Sequence, residues 1–286
     1  MNASNSLRRG RCAHTRGAMA LVAAAILSPA ALGDFTFSDF SDVTDLNLLG
    51  SAVPGTGETI VPLSLTTGKF DVAAAWHRQQ QVVNQGWDSN FTFRITEVSS
   101  NDGLDPTKGA DGFAFVVQNA SLDFFQDTTS GRGGGIGYNQ GTNLVAVEFD
   151  TWLNDRANDP NDNHISIHSA GPGNTTSHED DSIGSTTSIP NLSSGDSMTV
   201  RVSYRPGVMS VFLEDMTTAV VTVNIDLDTA LDIPGGLAYV GFTSATTGAW
   251  EVHDIIDWDF KTVPAPSTLA LAPLALAGLS RRRRRS

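Results

Sequence analysis

Residues 34–262 hold a succession of short apolar segments cut by turn signals, and no stretch among them keeps a helical period. That pattern is the strongest constraint on the fold. Phe35-Thr-Phe-Ser-Asp-Phe40 and Asn90-Phe-Thr-Phe-Arg-Ile-Thr-Glu97 alternate apolar and polar residues. Such alternation lays one face of a strand on a core and the other toward solvent. Gly112 to Val117, Leu144 to Phe149, Ser197 to Tyr204, Val208 to Leu213, Ala219 to Ile225 and Leu237 to Thr243 continue the series. Asn101-Asp-Gly103, Gly171-Pro-Gly173, Arg205-Pro-Gly207 and Pro234-Gly-Gly236 supply the turns between them. Regular strands without intervening helices predict an all-β antiparallel sandwich and exclude a parallel α/β sheet. Asn174 to Ser194, rich in Ser, Thr and Asp, reads as one long surface loop.

The two ends differ from this body. Arg8, Arg9, Arg11 and Arg16 precede an apolar run from Ala18 to Leu27, and the small residues Ala31 and Gly33 follow. That order predicts a secretory signal peptide over 1–33. Near the other end, an apolar run from Leu269 to Leu279 precedes Arg281 to Arg285. Eleven helical residues span roughly 16 Å against a bilayer core of ~30 Å. The 263–286 segment is therefore read as a sorting tail that pauses at a membrane, and 34–262 as one domain. The ends hold nine of the 18 basic residues and none of the 31 acids. The body thus sets nine bases against 31 acids. This balance argues against nucleic acid, whose binding needs Lys and Arg against phosphate. It suits an exported protein that binds cations, although acids also keep a protein soluble. The single cysteine, Cys12, lies in the N-terminal segment, so no disulfide is expected in the domain.

One run carries the chemistry. Glu148-Phe-Asp150-Thr-Trp152-Leu-Asn154 is followed by Asp159 and His164. Asn143 to Asp150 reads as a strand and Asn154 to Asp162 as a polar loop, so ligands from both can converge. Carboxylate, amide and carbonyl oxygens suit Ca²⁺, and an added imidazole shifts a neighbouring position toward Mn²⁺ or a similar ion. The plain alternative is an acidic loop at a strand end. His77, His168 and His178 read as ordinary surface or strand residues, and His253 and Asp254 as structural.

Four landmarks in chain order resemble the legume-lectin (L-type lectin) family. They are Phe35 to Phe40, Gly109-Ala110-Asp111-Gly112-Phe113-Ala114-Phe115, the metal loop Val145 to His164, and Val240 to Gly248 with His253-Asp254-Ile255 and Trp258-Asp-Phe260. The resemblance implies a concanavalin-A-like jelly-roll antiparallel β-sandwich that binds sugar at one end. It implies that Glu148, Asp150, Asp159 and His164 hold a transition metal, usually Mn²⁺. It likewise implies that Asp150, the backbone carbonyl of Trp152, Asn154 and Asp159 hold Ca²⁺. Asp111 would accept hydrogen bonds from two sugar hydroxyls, and the family's peptide before it is cis. Asn154 would donate from its amide and Trp152 would stack on the sugar ring. Gly131-Arg-Gly-Gly-Gly-Ile-Gly137 resembles the family's sugar loop, in which Gly134, with Gly133 beside it, would offer a backbone N–H. Ala249 and Trp250 fall where the family varies its specificity. Val263-Pro264-Ala265-Pro266-Ser267-Thr268, the apolar run and the arginines resemble PEP-CTERM sorting signals, with Ala265 where the motif usually has glutamate. That second resemblance implies a bacterial surface protein, exosortase-type processing and transient membrane association.

The implied function is an exported, metal-dependent, non-enzymatic carbohydrate-binding protein whose partners are glycans or polysaccharide. The rival is a glycoside hydrolase on the same sandwich, which needs a pair of carboxylates flanking the bond. Glu148-Phe-Asp150 is followed by Thr151-Trp152-Leu153-Asn154, so the second glutamate of such enzymes is missing and no catalytic residue is expected. A structural surface protein without sugar binding is the third reading. A homo-oligomer is compatible with the sequence, which does not identify the sugar.

Overall fold

The computed structural model describes residues 34–100 and 108–263. The expected signal peptide, the Asn101-Asp-Gly103 turn and the sorting tail after Val263 lie outside the described residues. Two antiparallel sheets carry the fold. One, the back sheet, runs Val221–Ile225, Gly207–Leu213, Ser197–Arg205, Gly86–Ser100, Ala249–Val263, Leu63–Thr66 and Val53–Pro54. Phe35–Phe37 also pairs with Ala249–Val263. The other, the site sheet, runs Ser182–Thr186, His164–His168, Leu144–Asp150, Gly112–Gln118, Leu237–Ala245, Val72–His77 and Leu46–Gly50. The central pairs join strands far apart in the chain, such as Gly86–Ser100 with Ala249–Val263 and Gly112–Gln118 with Leu237–Ala245, as the long connections of a jelly roll require. Helix is confined, among the described residues, to Leu227–Leu231 and three single 3₁₀ turns.

The core explains the strands. Phe91 and Phe93 of the back sheet meet Phe113, Phe115, Phe149 and Phe242 of the site sheet, with Phe113 stacked on Phe149 at 4.7 Å between ring centroids. The site sheet is buried on its other face too. There Ala74, Trp76, Ala114, Val116, Leu144 and Ala146 lie under Phe124, Ile136 and Tyr138. Burial on both sides removes the alternation from Val72-Ala-Ala-Ala-Trp-His77, and that strand is not recognisable by period. The expected first strand stops at Phe37, and Phe40 turns fully into the core. Asn174 to Ser194 is not one loop. It contains the 3₁₀ turn Glu179–Asp181 and the edge strand Ser182–Thr186, whose Ser and Thr suit a half-exposed pleated edge.

Strand Ala249–Val263 carries polar groups inside the fold. Arg94 donates to Asp254 at 3.0 Å, and Ser64 donates to its other oxygen at 2.6 Å. His253 Nδ1 lies 2.5 Å from Thr66 Oγ1, and burial depresses this imidazole to about 3, which keeps it neutral. His253 and Asp254, read from the sequence as structural, are both hydrogen-bonded inside the fold. Glu251 accepts from Ser193 at 2.8 Å while its Oε1 has no partner among the described residues. Its side chain fills the space where Gly109 lacks a Cβ. Burial raises its carboxyl from an ordinary 4.5 to about 7. Between those values the folded chain holds a proton that the unfolded chain has released. Stability should therefore fall as pH rises from about 4.5 to about 7. Glu251→Gln removes that component. The difference in unfolding free energy between wild type and variant should change by up to ~3 kcal/mol across the window in urea titrations. A difference independent of pH would refute the assignment.

Candidate functional site

The end of strand Leu144–Asp150 sets the site. Val145, Val147 and Phe149 point into the core, so by parity Glu148 and Asp150 share the other face with Leu144 and Ala146. The adjacent strand pairs Asp150 with His164, Glu148 with Ser166 and Ala146 with His168. Directly opposed residues lie on one face, so both imidazoles flank the two carboxylates. On the other side Asp150 pairs with Gly112. Asp111 is thereby carried to the rim, where its carbonyl accepts from Thr151 N–H at 3.1 Å. Gly112 has φ 127°, and a side chain there would strike the Phe149 carbonyl. The Ala110–Asp111 peptide is cis.

The loop after Asp150 is held by its own acids. Trp152 N–H donates to Asp150 at 2.8 Å, and Asn154 N–H donates to Asp159 at 2.6 Å. A 3₁₀ turn at Asp155–Ala157 and Asn158 at φ 63° then bring the chain back. Asp150, Asp159 and His164 each bring one ligand atom within 4.8 Å of the others. Glu148, His164 and Glu179 do the same.

These carboxylates are short of positive charge. Asp150 is 3 % exposed and Glu148 1 %. Burial, then Glu148 and Asp159, push the Asp150 carboxyl well above its usual range. Burial also raises Asp159 to about 6. His168 shows the opposite demand. Burial alone would lower it, yet Glu148 and Glu179 raise it to about 10. Glu179 is held far below its usual range by His164 and His168 against the effect of burial. Tyr138 donates to Glu148 at 2.5 Å. Glu179 Oε1 is buried without a hydrogen-bond partner among the described residues. Carboxylates and imidazoles crowded together out of water, with an amide beside them, form a donor set that fits a divalent cation.

The expected sugar-facing residues fall beside this centre. Asp111 is 2 % exposed, and its Oδ2 lacks a partner among the described residues. Burial, then the Glu251 and Asp159 charges, raise its carboxyl well above the usual range. A Cβ on Gly133 would lie 3.5 Å from both Asp111 oxygens, and one on Gly134 would overlap the Asn154 amide. The glycine-rich loop, Asp111 and Asn154 therefore meet at one place. Trp152 is half-buried and stands outside both apolar clusters. Ala249 is buried and accepts from Thr247 N–H at 3.2 Å, and Trp250 is half-buried on the same strand. Thr247 was not anticipated, and its methyl occupies the space beside Gly133.

Two further residues escaped the sequence reading. His168 is fully buried against Glu148 at 3.0 Å, not an ordinary strand residue. Its signal was the spacing His164-Ile-Ser-Ile-His168, which repeats one strand face. Glu179 comes from the stretch taken for a loop, and no local pattern marks it.

Three similarities bear on this arrangement. A probable L-type lectin-domain containing receptor kinase S.7 of Arabidopsis thaliana is 31% identical over 252 residues, covering 80% of this chain and 34% of that protein. The chain thus spans about a third of the length of that relative. Lectin II from Ulex europaeus aligns with a TM-score of 0.62 at 21% identity, over 82% of this chain and all of that one. The exoplasmic/lumenal domain of VIP36, in its Ca²⁺/Man-bound form, aligns with a TM-score of 0.59 at 17% identity, over 79% of this chain and 86% of that one. Those two likenesses establish the jelly-roll fold. The legume lectin domain matches residues 33–274, and this chain belongs to that family.

Proposed function

We propose that the 34–262 domain is a non-enzymatic, metal-dependent carbohydrate-binding module. One observation carries the reading. A buried carboxylate oxygen of Asp111, without a hydrogen-bond partner among the described residues, lies beside Gly133 of a glycine loop whose next residue, Gly134, lies against the Asn154 amide, close to a cation-fitting cluster. A carboxylate in that position can accept hydrogen bonds from two hydroxyls of one ring. The Gly134 backbone can approach a ligand where a side chain would block it. The Asn154 amide can donate, and Trp152, partly exposed at the loop edge, can cover an apolar ring face. Ala249 and Trp250 are assigned to the specificity rim, with Thr247 added to them.

Glu148, Asp150, Asp159 and His164 would hold a transition metal such as Mn²⁺. Asp150, the Trp152 carbonyl, Asn154 and Asp159 would hold Ca²⁺. The ions supply the positive charge that lets these acids sit together out of water. The Ca²⁺/Man-bound form of the VIP36 domain supports the same reading. Hydrolysis is disfavoured because Asn154 stands where sandwich hydrolases need a proton donor. Export to a bacterial surface through the 1–33 segment, and membrane pausing of the 263–286 tail, complete the proposal. A single site should bind a monosaccharide with Kd on the order of 1 mM, and repeated copies would add avidity.

Chelation should lower the melting temperature and abolish retention on immobilised glycans together, with Ca²⁺ and Mn²⁺ restoring both. Retention that survives stringent removal of metal refutes metal dependence. Asp111→Asn should lose glycan-array signal while the melting temperature stays within a few degrees of wild type. An Asp111→Asn protein with an unchanged array profile would show that the sugar binds elsewhere.

A further inference from the structure

We propose that the transition-metal position is a two-histidine centre, in which His168 and Glu179 join Glu148 and His164 as direct ligands. The proposal rests on the reading of Glu148 and His164 as metal ligands. Ligands on one ion at ~2.0–2.2 Å stand about 3.0–3.5 Å from one another in tetrahedral or octahedral geometry. Three pairs among these side chains have that spacing. His168 Nε2 lies 3.0 Å from Glu148 Oε2, His164 Nε2 lies 3.4 Å from Glu179 Oε1, and His168 Nε2 lies 3.5 Å from the same Glu179 oxygen.

Both rings are oriented for the role. His164 Nδ1 lies 3.1 Å from the Asn161 carbonyl, and His168 Nδ1 lies 3.1 Å from the Thr176 carbonyl. A carbonyl can only accept, so each Nδ1 carries a proton, and each Nε2 is the ring atom turned inward, able to give its lone pair to an ion that displaces any proton held there. Metal-binding histidines show this support as a rule. Ser166 Oγ lies 2.7 Å from His168 Nε2 and 3.3 Å from Glu148 Oε2.

Glu179 is not a mobile surface acid. Its turn is fastened from both sides. Asp181 accepts from Thr176 N–H at 2.8 Å and from Thr176 Oγ1 at 2.7 Å, and the Asp181 carbonyl accepts from Ser169 N–H at 3.1 Å. Asn158 of the metal loop donates to Asp180 at 3.1 Å. The turn therefore presents Glu179 Oε1 to the two imidazoles. Two imidazoles shift the preference from Mn²⁺ toward Zn²⁺ and its neighbours.

X-ray absorption at the zinc edge tests this on the wild-type chain, loaded with Zn²⁺ in saturating Ca²⁺. Scattering from two imidazoles per zinc is expected. Titration should show His168→Asn and Glu179→Gln each weakening Zn²⁺ by more than the roughly 10- to 100-fold that loss of an outer-shell partner costs, and Mn²⁺ less. One imidazole per zinc, with both variants binding as wild type, overturns the proposal and leaves the underlying reading intact. A wild-type chain that takes up Ca²⁺ but no Zn²⁺ or Mn²⁺, and in which His164→Asn changes nothing, overturns both. The absorption measurement needs no variant, so a misfolded His168→Asn would not spare the proposal.

Discussion

Too many carboxylates meet at one end of the site sheet for their own cations to balance, and this constraint organises the surrounding chain. Glu148 and Asp150 are almost fully buried, and Asp111 lies within the field of Asp159. Removing an ion from water costs several kcal/mol unless it is paired or hydrogen-bonded. The protein answers with local donors: Tyr138 on Glu148, the Trp152 N–H on Asp150 and the Asn154 N–H on Asp159. These bonds consume backbone donors that a plain loop would spend on water. They shape the 151–163 segment around the acids and leave the residual charge for a cation.

The same rim depends on burial from the other side. Because Ile136 and Tyr138 cover the outer face of the site sheet, the glycine loop that carries them is pressed against Asp111 and Asn154. A loop with side chains at 133 and 134 could not lie there, since Thr247 and Asn154 occupy the space. Packing energy from one apolar cluster thus positions backbone groups at a polar site. The polar site in turn needs Gly112 to let the Asp111 strand close on Phe149 and Asp150.

Legibility follows the same division. Strands with one wet face, such as Asn90 to Glu97, announce themselves by alternation. Val72–His77 does not, because both its faces are covered by residues distant in sequence. Glu148, Asp150, Asn154, Asp159 and His164 were visible because one strand end and one loop hold them all. Glu179 was invisible, since Ser182–Thr186 must first be recognised as the sheet edge before the turn ahead of it reaches the histidines. His168 was legible in principle. Its parity with His164 marks the same face, and its full burial against Glu148 separates it from an ordinary strand residue. The glycines were visible as a cluster, but their meeting with Asp111 depends on long-range packing.

Two hydrogen bonds join the candidate metal centre to the candidate sugar face. Asp150 and Asp159, from the proposed ligand set, fix the backbone N–H groups of Trp152 and Asn154, from the proposed sugar set. A cation that orders either carboxylate must therefore order the neighbouring sugar contact. Coupling of this kind is reciprocal in free energy. If metal tightens the hold on a saccharide, the saccharide must tighten the hold on metal by the same factor. Glu179 extends the reasoning to a second loop, because Asn158 ties its turn to the first. A centre that draws ligands from both loops can order the whole rim from one point.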